Sequence, residues 1–326
     1  MRILVTGCSG FLGSEIVRQL IQRGDEVVGL SRRETPDLVR LGMQHHRGDL
    51  SNAEYVRRTV TDVDVVIHTA AVAGVWGPWK HFYANNVVAT RNILAACQSS
   101  GATQCIYTSS PSVTFAGGHQ SGIDESVGYP EKWLCHYPRT KAIAEREIIA
   151  ADTPGGLRTV SLRPHLIWGN GDPHLLPRLL DRARSGRLRI IGDGENRIDT
   201  VHVTNAAAAH VNAIDALASN PDDAAGRSYF IAQDEPVKCW QWISQLCEKF
   251  DAPVPTKKIS YQAAYAIGAG LESIYRSLRR SDEPPMTRFV AAQLAKDHYF
   301  DITAAKERLG YRPTVTMTDG LASLTT

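Results

Sequence analysis

The sequence predicts an α/β fold, a doubly wound parallel β-sheet with a smaller, discontinuous C-terminal unit. Strands and helices alternate through the first half of the chain, and this alternation weakens after Pro164. Such alternation favours a parallel sheet that is covered by helices on both faces. The 326 residues, 43% of them hydrophobic, suffice for one large domain or two coupled ones.

The elements follow from the spacing of apolar residues. Residues 2–6 (RILVT) are short, apolar and rich in β-branched side chains, which indicates a buried strand, and residues 14–23 carry apolar side chains at helical spacing. The remaining predicted elements of the first half are strands at 26–30, 63–69, 104–109 and 158–163 and helices at 85–99 and 139–150. Beyond Pro164 we expect segments 201–203 and 229–231 to return to the sheet and residues 236–250 to form a helix.

Charge and cysteine content argue against several classes of function. The 36 basic and 34 acidic residues leave a net charge of +2, which gives no basic footprint for nucleic acid. The six cysteines are scattered without C-x-x-C spacing, which favours a reduced, cytoplasmic protein and no metal site. No apolar run approaches the roughly 18 residues of a membrane span, and with a strand beginning at residue 2 we expect no signal peptide.

A glycine-rich turn directly follows the first predicted strand. Gly7, Gly10 and Gly13 in TGCSGFLG permit a tight turn, close backbone approach to a pyrophosphate and close packing of a helix. The helix behind the turn would offer free N–H groups and the positive end of its dipole to an anion. Because the turn lies between a strand and an amphipathic helix, it predicts dinucleotide binding rather than a surface loop.

A tyrosine and a lysine stand four residues apart in CHYPRTKAIAEREI. Residues at this spacing lie on one face of a helix, so the amine of Lys141 should lie near the phenol of Tyr137. The pair alone is equally typical of an ordinary helix surface. If it is functional, it suits proton delivery to a forming alkoxide, since a cation beside a phenol lowers the phenol pKa from about 10.

Together, TGCSGFLG and YPRTK resemble the extended short-chain dehydrogenase/reductase superfamily, which has a Rossmann-type fold. Five further segments follow in the family's order over roughly the first 235 residues, namely RGDL, HTAA, NNVVATRN, YTSSPSV and LRPHLIWG. The resemblance implies an NAD(P)-dependent dehydrogenase or reductase that acts on CH–OH groups. It also implies a dinucleotide-binding domain over residues 1–164, with returning segments near 198–232, and a substrate-binding domain over 165–197 and 233–326.

The resemblance assigns roles to the residues at matching positions. Tyr137 would transfer the proton, Lys141 would favour the phenolate and hold the nicotinamide ribose, and Ser110 would position the substrate oxygen. The residues expected to bind the cofactor are Gly7, Ser9, Gly10, Phe11, Leu12, Gly13, Ser31, Arg32, Arg33, Asp49, Leu50, Ala70, Ala71, Asn86, Thr108, Tyr137, Lys141, Pro164 and Leu166. Further candidates for substrate contact are Trp76, His165 and Ser110 itself.

The end of the second strand predicts a preference for NADP(H). NAD-preferring members of the superfamily carry an aspartate at the position of Ser31, where the carboxylate holds the ribose 2′-hydroxyl. Here Arg32 and Arg33 follow a serine, and guanidinium groups hold phosphate through charge-assisted hydrogen bonds. Use of NAD(H) stays open, because two arginines at a strand end are also typical of a solvated loop.

The second half of the chain resembles the 3β-hydroxysteroid dehydrogenase/isomerase branch. The segments RPHLIWGNGDPHLLPRLL, IIGDGENRIDTVHV and NAAAAHVNA are similar to those of sterol-4-carboxylate dehydrogenases and bacterial 2-alkyl-3-oxoalkanoate reductases. This implies interconversion of a 3-hydroxy and a 3-oxo group on a sterol-like or long-chain β-keto acid substrate. A sugar-nucleotide epimerase or dehydratase is an alternative, although Ile198 stands where that branch has an arginine, beside Arg197. A non-enzymatic NADP-sensing regulator is another.

Residues 261–280 form a largely uncharged segment that ends in arginines. Its apolar residues approximate one helical face, made of Tyr261, Ala264, Tyr265, Leu271, Ile274, Tyr275 and Leu278. Such a face suits a membrane interface or a lid over an apolar pocket, whereas packing on its own domain or on the partner in a homodimer is the plainer interpretation. We therefore expect a small, lipid-like substrate, no nucleic-acid partner, and a cytoplasmic protein whose membrane contact stays open.

Overall fold

The structure is a computed structural model that describes residues 1–325. Its strands are β1 (Arg2–Thr6), β2 (Glu26–Ser31), β3 (Gln44–Arg47), β4 (Val65–His68), β5 (Gln104–Thr108), β6 (Gln120–Ile123), β7 (Arg158–Pro164), β8 (Ile167–Trp168), β9 (Ile190–Ile191), β10 (Arg197–Ile198), β11 (Val201–His202), β12 (Arg227–Ile231), β13 (Val237–Lys238), β14 (Lys258–Ile259) and β15 (His298–Phe300).

Its helices are α1 (Phe11–Arg23), α2 (Pro36–Arg40), α3 (Ala53–Thr59), α4 (Trp79–Phe82), α5 (Ala89–Ser100), α6 (His136–Ala150), α7 (Leu175–Arg184), α8 (Val203–Ser219), α9 (Pro221–Ala224), α10 (Cys239–Lys249), α11 (Tyr261–Ser277), α12 (Arg288–Ala295), α13 (Thr303–Arg308) and α14 (Met317–Ser323). A π-helical turn over Tyr83–Val88 leads into α5, and a 3₁₀ turn over Pro111–Thr114 follows β5.

Within the described residues, seven strands form one parallel sheet in the order β12–β7–β5–β4–β1–β2–β3. The chain begins in the middle at β1, adds β2 and β3 on one side, and then adds β4, β5, β7 and β12 on the other. The direction of winding therefore reverses beside β1, which pairs with both β2 and β4. Doubly wound sheets bind ligands beyond the carboxyl ends of the strands at this point. The predicted fold class is confirmed.

Both faces of this sheet are buried, because successive side chains of a strand point to opposite faces. On one face, Ile3 and Val5 pack in a core that includes Ile16 of α1. On the other face, Leu4 packs in a core that includes Ile93 of α5. The continuous apolar run at the start of the sequence thus reflects a strand that is covered on both sides.

The smaller C-terminal unit has its own core, and three of its strands join β6 of the first half in a four-stranded sheet in the order β13–β10–β15–β6. Of the two segments expected to return to the main sheet, the one around 229–231 does so as β12, which pairs with β7. The expectation for 201–203 is wrong. Val201 and His202 pair with β8 instead, because only two residues are extended before α8 begins at Val203.

Helix α11 packs closely on the segment that opens α12. A Cβ on Gly268 would lie 2.7 Å from the carbonyl carbon of Thr287, so only glycine permits this approach. The opposite face of α11 is exposed, and it carries Ile267, Ile274 and Leu278, whose exposed fractions are 49%, 53% and 65%. None of the helices within residues 1–325 combines the length and the apolar character that crossing a bilayer requires.

The single apolar face expected for residues 261–280 is wrong in part. Ala264 and Tyr275 are buried, whereas Ile274 and Leu278, which the sequence pattern groups with them, are exposed. The difference arises because α11 packs through the side that carries Ala264, Gly268 and Tyr275, whereas its bulkier aliphatic residues lie together on the exposed side.

Candidate active site

The first strand leads into a tight turn that ends at the N-terminus of α1. Gly7 has a φ of +70°, a left-handed value, and its N–H donates to the carbonyl of Leu30 at 2.8 Å. A Cβ on Gly13 would lie 2.3 Å from the carbonyl oxygen of Gly7, so only glycine lets α1 pack on the turn. Among the described residues no side chain caps α1, and its first-turn N–H groups therefore stay available to an anion.

The turn opens onto a cleft of about 820 Å³ beyond the carboxyl ends of the central strands, which we call the strand-end cleft. The structure brings most of the predicted site residues together here. The predicted residues that line it are Gly7, Ser9, Gly10, Phe11, Leu12, Gly13, Ser31, Arg32, Arg33, Asp49, Leu50, Ala70, Ala71, Thr108, Ser110, Tyr137, Lys141, Pro164 and Leu166.

Tyr137 and Ser110 reach the cleft from two different elements. Tyr137 is the second residue of α6, and Ser110 caps the 3₁₀ turn after β5, where its Oγ accepts a hydrogen bond from the N–H of Ser112 at 3.2 Å. Burial raises the pKa of Tyr137 to about 12, and hydrogen bonding with the Ser110 hydroxyl opposes this rise. Ser109 is 4% exposed, and its Oγ finds no hydrogen-bond partner within residues 1–325. Both serines line the strand-end cleft, and the assignment of the substrate oxygen to Ser110 stays a prediction.

Lys141 lies one turn further along α6 and is fully buried. Its Nζ donates to the carbonyl of Thr108 at 2.5 Å and lies 4.1 Å from the ring centroid of Tyr107. Burial lowers the pKa of Lys141 to about 7. The lowering of the Tyr137 pKa by Lys141 together with the cationic nicotinamide stays a prediction, because burial in the protein alone disfavours the charged form of both groups.

A buried ion pair lies one helical turn beyond Lys141. Arg163 Nη2 donates to Glu145 Oε1 at 2.7 Å, and the same carboxylate accepts hydrogen bonds from Tyr129 at 2.7 Å and Ser161 at 2.8 Å. Burial alone would raise the pKa of Glu145, but Arg163 and these hydrogen bonds keep it below its ordinary value. The negative charge of Glu145 in turn favours the charged form of Lys141.

The side chain of Asn86, a predicted cofactor contact, does not line the strand-end cleft. Asn86 is 1% exposed, and its side-chain amide binds the N–H and the carbonyl of Val72 and the hydroxyl of Thr140. The neighbouring Asn85 lines the strand-end cleft instead. This segment forms the π-helical turn before α5, whereas the sequence pattern predicts a regular helix from residue 85.

His165 lines neither the strand-end cleft nor the cavity beside Trp76. Its Nε2 lies 2.6 Å from Nδ1 of His298, whose Nε2 lies 2.7 Å from the carbonyl of Gln293. Since a carbonyl only accepts, His298 donates through Nε2 and accepts at Nδ1, and His165 donates to it. This packing against His298 opposes the expected substrate contact, and Trp76 lies in the second cavity instead.

Comparison with known proteins identifies the family. A sequence profile of the 3-beta hydroxysteroid dehydrogenase/isomerase family matches residues 4–261. The chain belongs to this family. The branch predicted from the segments of the second half of the chain is thus confirmed.

Relatives of this family member support oxidoreductase chemistry. A 2-alkyl-3-oxoalkanoate reductase from Stenotrophomonas maltophilia (strain K279a) is 44% identical, and the match covers 99% of this chain and 98% of the reductase. A sterol-4-alpha-carboxylate 3-dehydrogenase, decarboxylating, from Mus musculus is 32% identical, with coverages of 97% and 88%. Among solved structures, MoeE5 in complex with UDP-glucuronic acid and NAD is similar with a TM-score of 0.74 and 26% identity, covering 99% of this chain and 97% of MoeE5. The chain is therefore an NAD(P)-dependent dehydrogenase or reductase.

The residues that line the strand-end cleft fit a nicotinamide dinucleotide. The uncapped N-terminus of α1 suits a pyrophosphate, and the same cleft carries the Tyr137 phenol and the Lys141 amine. When bound, the nicotinamide ring supplies the carbon that accepts or donates a hydride. The side chains around it can then donate, accept and orient the proton that the reaction exchanges with a substrate oxygen.

Two buried histidines form hydrogen bonds with threonines at the ends of the central strands, Thr108 and Thr6, and the sequence pattern did not reveal either histidine. His210 of α8 donates through Nδ1 to the carbonyl of Ala206 at 2.7 Å, so its Nε2 accepts from the Thr108 hydroxyl at 2.7 Å. His68 of β4 lies 2.7 Å from the hydroxyl of Thr6 and 3.0 Å from that of Thr90. Burial lowers the pKa of His68 to about 3 and that of His210 to about 4, so both are neutral.

Proposed function

We propose that this protein interconverts a secondary alcohol and a ketone at the 3-position of a long-chain β-keto acid or sterol-like substrate, with NADP(H) as the preferred cofactor. The observation that carries the proposal is the convergence of Ser110, Tyr137 and Lys141 in the cleft that the glycine turn opens. The names of the relatives at 44% and 32% identity support a 3-oxo or 3-hydroxy group as the reacting centre.

The three side chains have separate tasks in this reaction. Tyr137 donates the proton to the carbonyl oxygen as it becomes an alkoxide, and takes it back in the reverse direction. Its pKa of about 12 keeps the phenol protonated at neutral pH, which is the form that reduction requires. Ser110 holds the same oxygen in place. Lys141, whose Nζ donates to the carbonyl of Thr108, would hold the nicotinamide ribose.

A panel of substrates tests the proposed reaction. Oxidation of NADPH would be followed by absorbance with 2-alkyl-3-oxo acids, 3-ketosteroids and UDP-sugars. We expect turnover with one of the first two classes and none with the sugar nucleotides. Turnover of the UDP-sugars alone would refute the proposal.

The proposed preference for NADP(H) rests on the end of β2. Ser31 donates to the carbonyl of Arg33 at 2.6 Å and lies 2.9 Å from Nε2 of His45, so no carboxylate occupies this position. Arg33 donates to the carbonyl of Ser9 at 3.2 Å, and the exposed Arg32 lines the cleft. A Michaelis constant for NADP(H) about tenfold below that for NAD(H) is expected from one charge-assisted contact to phosphate, and equal constants would refute the preference.

A sugar-nucleotide epimerase is the second candidate, favoured by the likeness to MoeE5 in complex with UDP-glucuronic acid and NAD. Ile198 opposes it, since this residue is 1% exposed in β10. The adjacent Arg197 stacks 4.9 Å from the ring centroid of Tyr299 and lies outside the strand-end cleft. The regulator alternative would require a defective proton-transfer pair, whereas Tyr137 and Lys141 are both in place.

Two predictions about organisation accompany this proposal. Residues 1–164, with segments near 198–232, would bind the dinucleotide, and residues 165–197 and 233–326 would bind substrate. The exposed, uncharged face of α11 would meet either a lipid interface or the partner in a homodimer. Flotation of the full chain and of an Ile274→Glu variant with liposomes tests contact with lipid. Sedimentation of the same two proteins tests whether this face forms a homodimer.

A further inference from the structure

A second cavity, which none of the three catalytic candidates lines, adjoins the strand-end cleft. It encloses about 770 Å³ between the segment after β4, the start of α6 and the end of α11. Its apolar wall consists of Val75, Trp76, Pro78, Phe82, Trp133, Leu134 and Tyr275. Its basic side chains are Lys132, Arg139, Arg276, Arg279, Arg280 and Arg288. We call this space the arginine cavity.

The arginine cavity has an excess of positive charge. Its six basic side chains face only two carboxylates, those of Glu131 and Glu272. Glu272 is 2% exposed and holds two arginines at once, Arg288 at 2.7 Å and Arg276 at 3.3 Å. One carboxylate therefore does not neutralise the pair of guanidinium groups that it binds.

Two further arginines carry charge that the chain leaves uncompensated. Arg139 and Arg279 are exposed and make no ion pair within residues 1–325, whereas the neighbouring Arg280 pairs with Asp282. The guanidinium carbon of Arg139 lies 4.6 Å from the ring centroid of Trp79, which holds the side chain against an aromatic surface. A stacked arginine keeps its donors free for an anion in the plane of the group.

The apolar wall is held to the arginines by direct contacts. The indole N–H of Trp76 donates to the carbonyl of Arg280 at 3.2 Å, and its ring packs edge-on against Tyr275 at 6.1 Å. The segment after β4 is thereby tied to the end of α11. The result is a cavity that is apolar on one wall and cationic around the others, which suits an amphiphilic anion.

The arginine cavity and the strand-end cleft share two walls. Along α6, Tyr137 lines the cleft and the preceding His136 lines the cavity. Along the segment after β4, Ala73 lines the cleft and Val75 lines the cavity. On each of these two segments, the residues that line the cleft and the cavity are one or two positions apart, which corresponds to about 4–7 Å between their Cα atoms.

We propose that the arginine cavity binds a long-chain carboxylate as a second ligand beside the substrate at Tyr137, with its alkyl portion against the aromatic wall and its carboxylate held by Arg139 and Arg279. This second site goes beyond the proposed function, and binding to it can be measured without turnover. The protein would then select free long-chain acids over their esters, because only the acid repays the desolvation of the two unpaired guanidinium groups.

The test compares one chain length in two charge states. Equilibrium dialysis would measure binding of hexadecanoate and of methyl hexadecanoate to the wild-type protein and to an Arg139→Ala/Arg279→Ala double variant. We expect the wild type to bind the acid at least about tenfold more tightly than the ester, and the double variant to lose this difference. Arg139→Lys/Arg279→Lys should restore part of it, since the charge returns without the planar donors.

Arg58→Ala removes an exposed arginine of α3 and serves as the matched control, in which the preference for the acid should persist. Equal binding of acid and ester by the wild type would overturn the inference, as would a double variant that keeps the preference. Binding of the acid without reduction of any 3-oxo acid would refute the proposed function and leave this inference standing.

Discussion

The strand-end cleft and the arginine cavity meet at α6, yet they are built in different ways. In the cleft, helix α1 packs directly on the backbone of the glycine turn, and the carboxylate of Glu145 behind it has three side-chain partners. In the cavity, exposed arginines from separate segments surround an aromatic wall, and one buried carboxylate, Glu272, serves two of them.

This difference indicates what each region tolerates. The glycine turn of the cleft is fixed by backbone contact, so a methyl group added at Gly7 or Gly13 has no space to occupy. The cavity is held by side-chain charge and stacking, so its affinity should follow charge more than shape.

A substitution of Tyr137, which lies at the boundary between the two regions, should have the largest effect on turnover. Replacing Tyr137 by Phe removes the proton donor and keeps the ring, so we expect turnover to fall by about 100-fold or more. The dissociation constant for NADPH, measured by fluorescence titration, should change by less than about threefold, because the glycine turn is untouched. Tyr299→Phe, at a half-buried tyrosine of β15, should leave both quantities unchanged. Retained turnover in Tyr137→Phe would remove this residue from the chemistry.

A methyl group added to the glycine turn should be the next most damaging change. In Gly13→Ala the new Cβ meets the carbonyl oxygen of Gly7 at 2.3 Å, a backbone overlap that a side-chain rotation does not relieve. We expect NADPH binding, measured by titration calorimetry, to weaken by about tenfold or more as α1 is displaced from the pyrophosphate.

The matched substitution lies in α11, on the side of the arginine cavity. A Cβ on Gly270 meets nothing within 4 Å. Gly270→Ala should therefore keep NADPH binding and raise the free energy of unfolding by about 0.5–1 kcal/mol, as expected for an exposed helix interior. Equal tolerance at the two glycines would break the proposed contrast between a packed cleft and a looser C-terminal region.

The outer end of the cleft is expected to behave like the cavity, since Arg32 is exposed and acts through charge. Arg32→Ala should weaken NADPH binding by about tenfold and leave NADH binding nearly unchanged, because only NADPH carries the 2′-phosphate. The ratio of the two dissociation constants is the measurement. Arg40→Ala, which removes an exposed arginine of α2, controls for the loss of one positive charge.

The two regions also differ in how far the sequence predicts them. The glycine turn and the strands of the first half lie in continuous segments whose apolar runs and glycine spacing are local signals. Helix α8 escapes prediction because VTNAAAAHVNA is apolar on nearly all sides, as expected for a buried helix, and shows no amphipathic contrast. His210 on this helix, which binds the Thr108 hydroxyl, is therefore missed as well.

The arginine cavity could not be predicted from local patterns. Arg139 and Arg279 are 140 positions apart in the sequence, and neither lies in a motif that indicates a shared site. The positive charge becomes visible only when the fold shows that Glu272 is occupied by two other arginines. Asn86 shows a different limit of the sequence. The motif identifies the correct segment, but the side chain that lines the cleft belongs to the neighbouring Asn85, and Asn86 binds the backbone of Val72.

Asp199, in the C-terminal region, should give the smallest effect and the clearest contrast with Glu145. One of its oxygens accepts from the N–H of Phe300 at 2.8 Å, and the other has no partner within residues 1–325. Burial raises the pKa of Asp199 to about 7, whereas the pKa of Glu145 is held below its ordinary value. The folded state therefore binds an extra proton at Asp199, and its contribution to stability is lost as the pH rises from about 4 through 7.

An Asp199→Asn variant does not ionise at this position, so its free energy of unfolding relative to wild type should increase as the pH rises from 5 to 8. Full conversion of the shift would give about 4 kcal/mol over the whole titration and about 3 kcal/mol between pH 5 and 8, and we expect about 1 kcal/mol because a folded protein relaxes around a buried charge. Urea denaturation at the two pH values measures the difference. Asp181→Asn, at an exposed carboxylate, corrects for the removal of one surface charge. If the difference between Asp199→Asn and wild type stayed constant with pH, Asp199 would be as well compensated as Glu145, and the C-terminal region would not differ from the cleft in how it satisfies buried charge.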